Sequence, residues 1–236
     1  MTVFKPRNHI IFFFVILVIM IFPVSFVSAQ GQKTDEFSRY YLEGRINSSF
    51  SSISNFKTSS FVGALQERNS SDFVVGVAGK IGYRWKNIPV HSEIEGFYEH
   101  RFDLDYRDVS KTNAGSVFNG FQSNINVGGI LYNSSYEFRS RRVVTPYIGG
   151  SIGVGVNSSE TRSQNSNSIS KNHTTNLIWG LSGGLIWSLD NRWSVNVGVR
   201  YLDLGSATSG GGAIQEKLEG EDYQAYQVLL GLRRYF

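Results

Sequence analysis

The sequence predicts an all-β fold: an eight-stranded antiparallel up-and-down transmembrane β-barrel that follows a cleaved N-terminal signal peptide. Three observations predict it. Eight segments alternate oily and small or polar residues with period two. The connections between them alternate short and long. Met1–Ala29 is unlike everything after it.

In that first stretch Lys5, Arg7 and His9 precede the apolar run IIFFFVILVIMIFPVSFVSA, and Val27-Ser28-Ala29 is a small-x-small cleavage site. Pro23 and that site favour cleavage after Ala29 over an uncleaved anchor. The expected organisation is a signal peptide over 1–29, a short extension over 30–39 and the barrel over 40–236. The chain has 236 residues, 41% of them hydrophobic, with 25 Gly, 4 Pro and no Cys. Without Cys there is no disulfide framework and no thiolate metal site. The net charge of +4 includes Lys5 and Arg7 of the leader. The rest carries too little charge to select nucleic acid as a partner. A mean hydropathy of -0.18 is too low for many helical spans.

The segments follow in order. Tyr40, Leu42, Gly44 and Ile46 alternate with Tyr41, Glu43, Arg45 and Asn47. Phe73 to Trp85 carries Phe, Val, Val, Gly, Ile, Tyr and Trp on one face, against small residues, Lys80 and Arg84 on the other. That is too long for an ordinary globular strand and suits a tilted membrane strand. Val90, Ser92, Ile94, Gly96 and Tyr98 alternate with His91, Glu93, Glu95, Phe97 and Glu99. In the fourth segment the oily face reads Phe121, Ser123, Ile125, Val127, Gly129 and Leu131. In the fifth it reads Val144, Pro146, Ile148, Gly150, Ile152, Val154 and Val156. In the sixth it is Leu177, Trp179, Leu181, Gly183, Leu185 and Trp187; in the seventh Trp193, Val195, Val197, Val199 and Tyr201. The eighth sets Tyr226, Val228, Leu230 and Leu232 opposite Gln227, Leu229, Gly231 and Arg233.

Connections at Lys86–Pro89, about Ser134–Val143 and Leu189–Arg192 are short. Those at about 48–71, 103–120, 158–174 and 205–222 are long, polar and read as four mobile surface loops. A lipocalin-like barrel would put the oily face inside, whereas a membrane barrel puts it outside. The opposite face holds Glu43, Arg45, Lys80, Arg84, Glu93, Glu95, Arg200 and Arg233 among Gly, Ser and Asn. An eight-strand lumen needs such small residues and paired charges, so the oily face is assigned to lipid. Tyr83, Trp85, Trp187, Trp193 and Phe236 flank short turns or the last residue and read as one aromatic girdle.

These features resemble the small eight-stranded outer-membrane β-barrels, the OmpA-like and opacity-protein-like surface antigens. The residues that carry the resemblance are the Val-Ser-Ala leader, "VTPYIGGSIGVGV", "VRYLDLG" and the terminal Phe236. It implies a Gram-negative outer-membrane location and surface-antigen or adhesin activity. It also implies that the barrel-assembly machinery reads the last strand through Val228, Leu230, Leu232 and Phe236. Members commonly carry an aromatic residue two positions before the terminal Phe, where this chain has Arg234.

Catalytic signals are sparse. Glu93 and Glu95 share a face and form either an acid pair or part of a lumen salt-bridge network. His100 is the one candidate for a lipid-modifying Ser–His site, and no acid or oxyanion device is readable beside it. The His residues show no metal-ligand spacing. "GGSIGVGV" lacks the Lys-Ser/Thr and helix of a phosphate loop. Arg139–Arg142 is a basic turn. The expected function is non-enzymatic: a structural or surface-interaction protein with no cofactor, surrounded by outer-membrane lipid, whose loops contact a host or envelope ligand. A small-solute channel and a lipid-modifying enzyme are the alternatives.

Overall fold

The computed structural model describes residues 39–59, 64–69, 71–112, 115–138, 143–163, 169–211 and 214–236. The expected signal peptide and nearly all of the expected extension lie outside these residues. Nine strand segments run in chain order: β1 (Tyr40–Ser59), β2 (Ala64–Asn69), β3 (Ser71–Arg84), β4 (Val90–Thr112), β5 (Gly115–Glu137), β6 (Val144–Ser163), β7 (Ile169–Ser188), β8 (Trp193–Gly211) and β9 (Ile214–Tyr235). β2 and β3 together form the second barrel strand, so the ring has eight staves. Neighbours pair antiparallel around it, and β1 closes on β9 from Tyr41↔Tyr235 up to Ser59↔Lys217. Closure leaves no free edge at this level of the wall.

The outward row is apolar. Leu42, Ile46, Val77, Ile81, Ile94, Ile130, Ile148, Ile152, Leu177, Leu181, Val197 and Leu230 are all exposed. Aromatics bound this band at two levels. At the short-turn side Tyr40 meets Tyr83, and Tyr83 meets Trp85 edge to face. At the other side Phe50 meets Phe73, while Tyr201 meets Trp179 and Tyr226. Tyr40 and Phe50, Tyr83 and Phe73, and Phe236 and Tyr226 are each ten residues apart. At about 3.3 Å per residue and a tilt of about 45°, ten residues rise roughly 23 Å, the height of a barrel's apolar band. The sequence disclosed only the short-turn girdle.

Two expectations are corrected. Much of the four segments expected as mobile loops is paired strand: β4 and β5 pair up to Thr112↔Gly115, and β8 and β9 pair, with register shifts around Gly205 and before Gly211, to Gly211↔Ile214. Backbone pairing continues there without an oily face, so period-two hydrophobicity cannot mark it. The second correction is the fourth predicted segment, within β5. Its Ser123, Ile125, Val127 and Leu131 point into the barrel, and Ile130, Tyr132 and Tyr136 point out. Alternation fixes the period of a strand but not which face is inside.

Above the band the wall divides. β1 and β3 pair no higher than Ser52↔Ser71, and β7 and β8 no higher than Trp179↔Asp203. Among the described residues, backbone pairing above those points runs within β2-β4-β5-β6-β7 and within β8-β9-β1. The departure of β8 is built at Gly205, whose φ of 75° is left-handed. A Cβ there would lie 2.7 Å from the Asn176 side chain. Beyond it Asn157 of β6 and Asn176 of β7 each donate to the Ser206 carbonyl at 2.7 Å, so side chains hold β8 to both strands where its backbone pairing with β7 has stopped.

Candidate functional site

The lumen is filled in two layers. The short-turn half holds charge. The inward positions of β1 (Tyr41, Glu43, Arg45, Asn47, Ser49) face those of β4 (His91, Glu93, Glu95, Glu99) across the barrel. Space for these side chains comes partly from glycine: a Cβ at Gly82 would fall 2.1 Å from the Tyr41 ring. Arg233 bridges Glu43 at 2.8 Å and Glu93 at 2.9 Å, and its guanidinium carbon lies 4.0 Å over the Tyr41 ring. Tyr41 donates to Glu93 at 2.5 Å, and Lys80 reaches the other Glu93 oxygen at 2.7 Å.

One layer higher, Glu95 accepts from Arg45, from Arg200 at 2.9 and 3.1 Å and from Asn133 at 3.0 Å. Arg200 also donates to Gln227 at 2.7 Å. Gln227 in turn donates to Ser49 at 3.1 Å and to Glu99. Glu99 accepts further bonds from Asn47 and Ser49, both at 3.0 Å. Charge is thus opposed by charge or by neutral donors throughout, as burial requires.

Seven of the eight lumen charges named from sequence (Glu43, Arg45, Lys80, Glu93, Glu95, Arg200 and Arg233) meet in this network. Arg84 stands at the rim instead, 3.5 Å from Glu137, which is 2.8 Å from His91 Nε2. Tyr41, His91, Glu99 and Gln227 were placed on the inward face from sequence but not in this network, and Glu137 was not named at all. Glu99 was readable as the second inward position after Glu95, beyond Phe97. Glu137 was hidden because β5 runs past Leu131 with its faces the other way round.

The long-hairpin half of the lumen is apolar. Ile53, Val74, Phe102, Leu104, Ile125, Val127, Ile178, Leu202, Leu204 and Tyr223 form one buried cluster. A bulge between Glu99 and Phe102 turns Phe102 and Leu104 inward on a strand whose inward parity had been odd. Above the cluster Ser123, Thr161 and Ser209 bond in a row at 3.1 and 2.8 Å. The cavity among Lys80, Glu93, Asn133, Tyr147, Arg200 and Arg233 measures about 20 Å³, room for one water.

On the outside, Val228, Leu230, Leu232 and Phe236 form an exposed row on β9 and its end. Tyr83, Trp85, Trp187 and Trp193 sit at the short-turn rim. There Arg234 lies 5.4 Å over Trp193 and 5.3 Å over Phe236. Those rings hold an arginine where the family pattern has an aromatic residue.

His100 points outward at the bulge, its ring 6.2 Å from that of Tyr98, and no hydrogen bond to a serine is present among the described residues. The Ser–His contact lies elsewhere: Ser158 and His173, cross-strand partners on β6 and β7, are 2.9 Å apart and exposed. Glu160 lies two residues on, but its carboxylate takes Arg162 at 2.8 and 3.1 Å and Lys171 at 3.4 Å. The Arg162 guanidinium holds it below the usual carboxylate range, with Lys171 adding to the effect. It is committed to cations rather than to His173.

A closed antiparallel ring with an apolar exterior between two aromatic girdles is the architecture of a membrane barrel. Residues 19–236 match the outer membrane protein beta-barrel domain family. The chain belongs to that family, and its place is the outer membrane of Gram-negative bacteria. Among solved structures it resembles Neisserial surface protein A at 15% identity and a TM-score of 0.51, covering 86% of this chain and 100% of that one. OprG from Pseudomonas aeruginosa matches at 14% identity over 86% and 99% of the two chains, with a TM-score of 0.47. Ail, the attachment invasion locus protein of Yersinia pestis, matches at 12% over 84% and 99%, with a TM-score of 0.43. Such identities show the fold alone. No curated protein sequence matches the chain.

Proposed function

We propose that this outer-membrane barrel is a non-enzymatic surface-interaction protein, a filled pedestal whose work is done by its strand-paired hairpins. The observation that carries this is the continuation of β4 and β5, 23 residues each. A membrane crossing needs about 9–11 tilted residues, so roughly half of each strand stands outside the apolar band. Outer-membrane barrels place their longer connections outside the cell, which gives these hairpins the extracellular side. Backbone pairing presents them as ribbons with a fixed shape, which lowers the ordering cost of binding a host or envelope ligand. The filled lumen speaks against a channel. The exposed row Val228, Leu230, Leu232 and Phe236 is the surface the barrel-assembly machinery would read.

The test replaces 107–120 with a two-residue turn joining the paired residues Tyr106 and Phe121. The expected result is a barrel that still shifts on heating in gels but has lost adherence to host cells or matrix. Unchanged adherence after each of the hairpins is shortened in turn, or stepwise conductance of the intact protein in planar bilayers, would overturn the reading. The Ser158–His173 contact supports one second reading, a lipid-modifying site. It lacks an orienting acid, and the mass of lipid A from cells carrying Ser158→Ala decides it.

A further inference from the structure

We propose that the short-turn rim under β8, β9 and β1 binds the headgroup of an anionic phospholipid in the periplasmic leaflet. Three arginines stand on three consecutive strand ends. Arg192 precedes β8, Arg234 ends the outward row of β9, and Arg39 precedes β1. The main chain fixes them side by side: Tyr235 N–H donates to Arg192 O at 2.8 Å, and Phe236 N–H to Tyr40 O at 3.1 Å. Neighbouring strands are about 4.8 Å apart, so the three bases fall within the reach of one phosphodiester and its flanking oxygens.

The three side chains are exposed, and no carboxylate pairs with them among the described residues. Asp190 is close in sequence, but its Oδ1 accepts the N–H groups of Arg192 at 2.6 Å and Trp193 at 2.7 Å. The lumen carboxylates Glu43, Glu93 and Glu95 are matched by lumen cations, and several remaining acids (Asp203, Glu219, Glu221, Asp222) lie on the extracellular strands. Three exposed arginines thus stand at this part of the rim beside the single Asp190 side-chain carboxylate among the described residues there.

The geometry selects a lipid over free phosphate. Arg234 is stacked between Trp193 and Phe236, within the aromatic girdle that marks headgroup depth. Its cross-strand neighbour Leu42 and the outward Leu232 are exposed beside it toward the bilayer centre. A phosphate at the guanidinia would lay its acyl chains along those leucines. The partner is thus two-part: an anionic head met by arginine forks and an apolar tail met by the oily wall.

Native mass spectrometry of the folded full chain, released from mixed micelles of phosphatidylglycerol and phosphatidylcholine, tests this. The wild type should retain phosphatidylglycerol preferentially. Retention should fall about fivefold for each of Arg39→Gln, Arg192→Gln and Arg234→Gln, and stay unchanged in an Arg162→Gln/Lys171→Gln control that removes extracellular charge. Equal retention by the triple variant overturns the proposal. So does displacement of the lipid by equimolar glycerol phosphate, which would assign the site to free phosphate. Arg192→Gln alone keeps the question open to refutation if the triple variant does not fold, because the Asp190 turn uses the Arg192 main chain and not its side chain.

Discussion

The two halves of the lumen are built on the same strands, yet one is a salt-bridged network and the other a hydrocarbon cluster. β4 alone passes from Glu93, Glu95 and Glu99 to Phe102 and Leu104 within twelve residues. The lower half resists single changes poorly, because each ion serves several partners and removal of one strands the rest. The upper half loses only the contacts of the side chain removed. What fills a narrow barrel is therefore set by mutual satisfaction and not by polarity as such.

The comparison breaks most visibly at Arg233. Arg233→Ala should leave Glu43 and Glu93 short of a cation and destabilise the barrel by about 3–5 kcal/mol. The measurement is the urea midpoint of the gel-mobility shift, and a loss under about 1 kcal/mol would show that water already screens the network. Leu202→Ala in the apolar half should cost about 2–4 kcal/mol by leaving a cavity. Its cost should be the same at low and high salt; a salt-dependent cost would mean the cluster is coupled to the ions below.

Glu99→Gln sharpens the boundary between the halves. Glu99 faces the donors Asn47, Ser49 and Gln227, and the amide oxygen of Gln can accept the same bonds. The expected change is within about 1 kcal/mol, against several for Glu95→Gln, which leaves Arg45 and Arg200 without their shared carboxylate. Equal costs for the two would erase the distinction between them. The smallest effect is expected for Ser158→Ala on the exposed hairpin, within about 0.5 kcal/mol in the same urea assay.

Much of the barrel was legible because lipid imposes its period on the sequence. The eight staves, seven of their eight outward faces and the short turns followed from alternation and aromatic position. β5 was misassigned because Ile125, Val127 and Leu131 are as oily as a lipid face. Only knowing that they abut Phe102 and Leu202 across the lumen could have turned the strand round. The paired hairpins were illegible for the opposite reason: outside the bilayer neither face need be oily. The bulge after Glu99 leaves no mark in composition, and the cross-strand partnership of Ser158 with His173 depends on a register that polar sequence does not announce.

The seam between β1 and β9 also orders events in time. Glu43 meets Arg233 and Ser49 meets Gln227, across nearly the whole length of the barrel sequence. Neither contact can form until β9 arrives, the strand latest in the chain. Until then the β1 acid has Lys80 of β3, 3.8 Å away, but lacks its 2.8 Å Arg233 contact, and joining such distant strands incurs a large loop-closure entropy. Closure should then be a late, nearly all-or-none step, with the buried charges acting as a latch that holds only once the ring is complete.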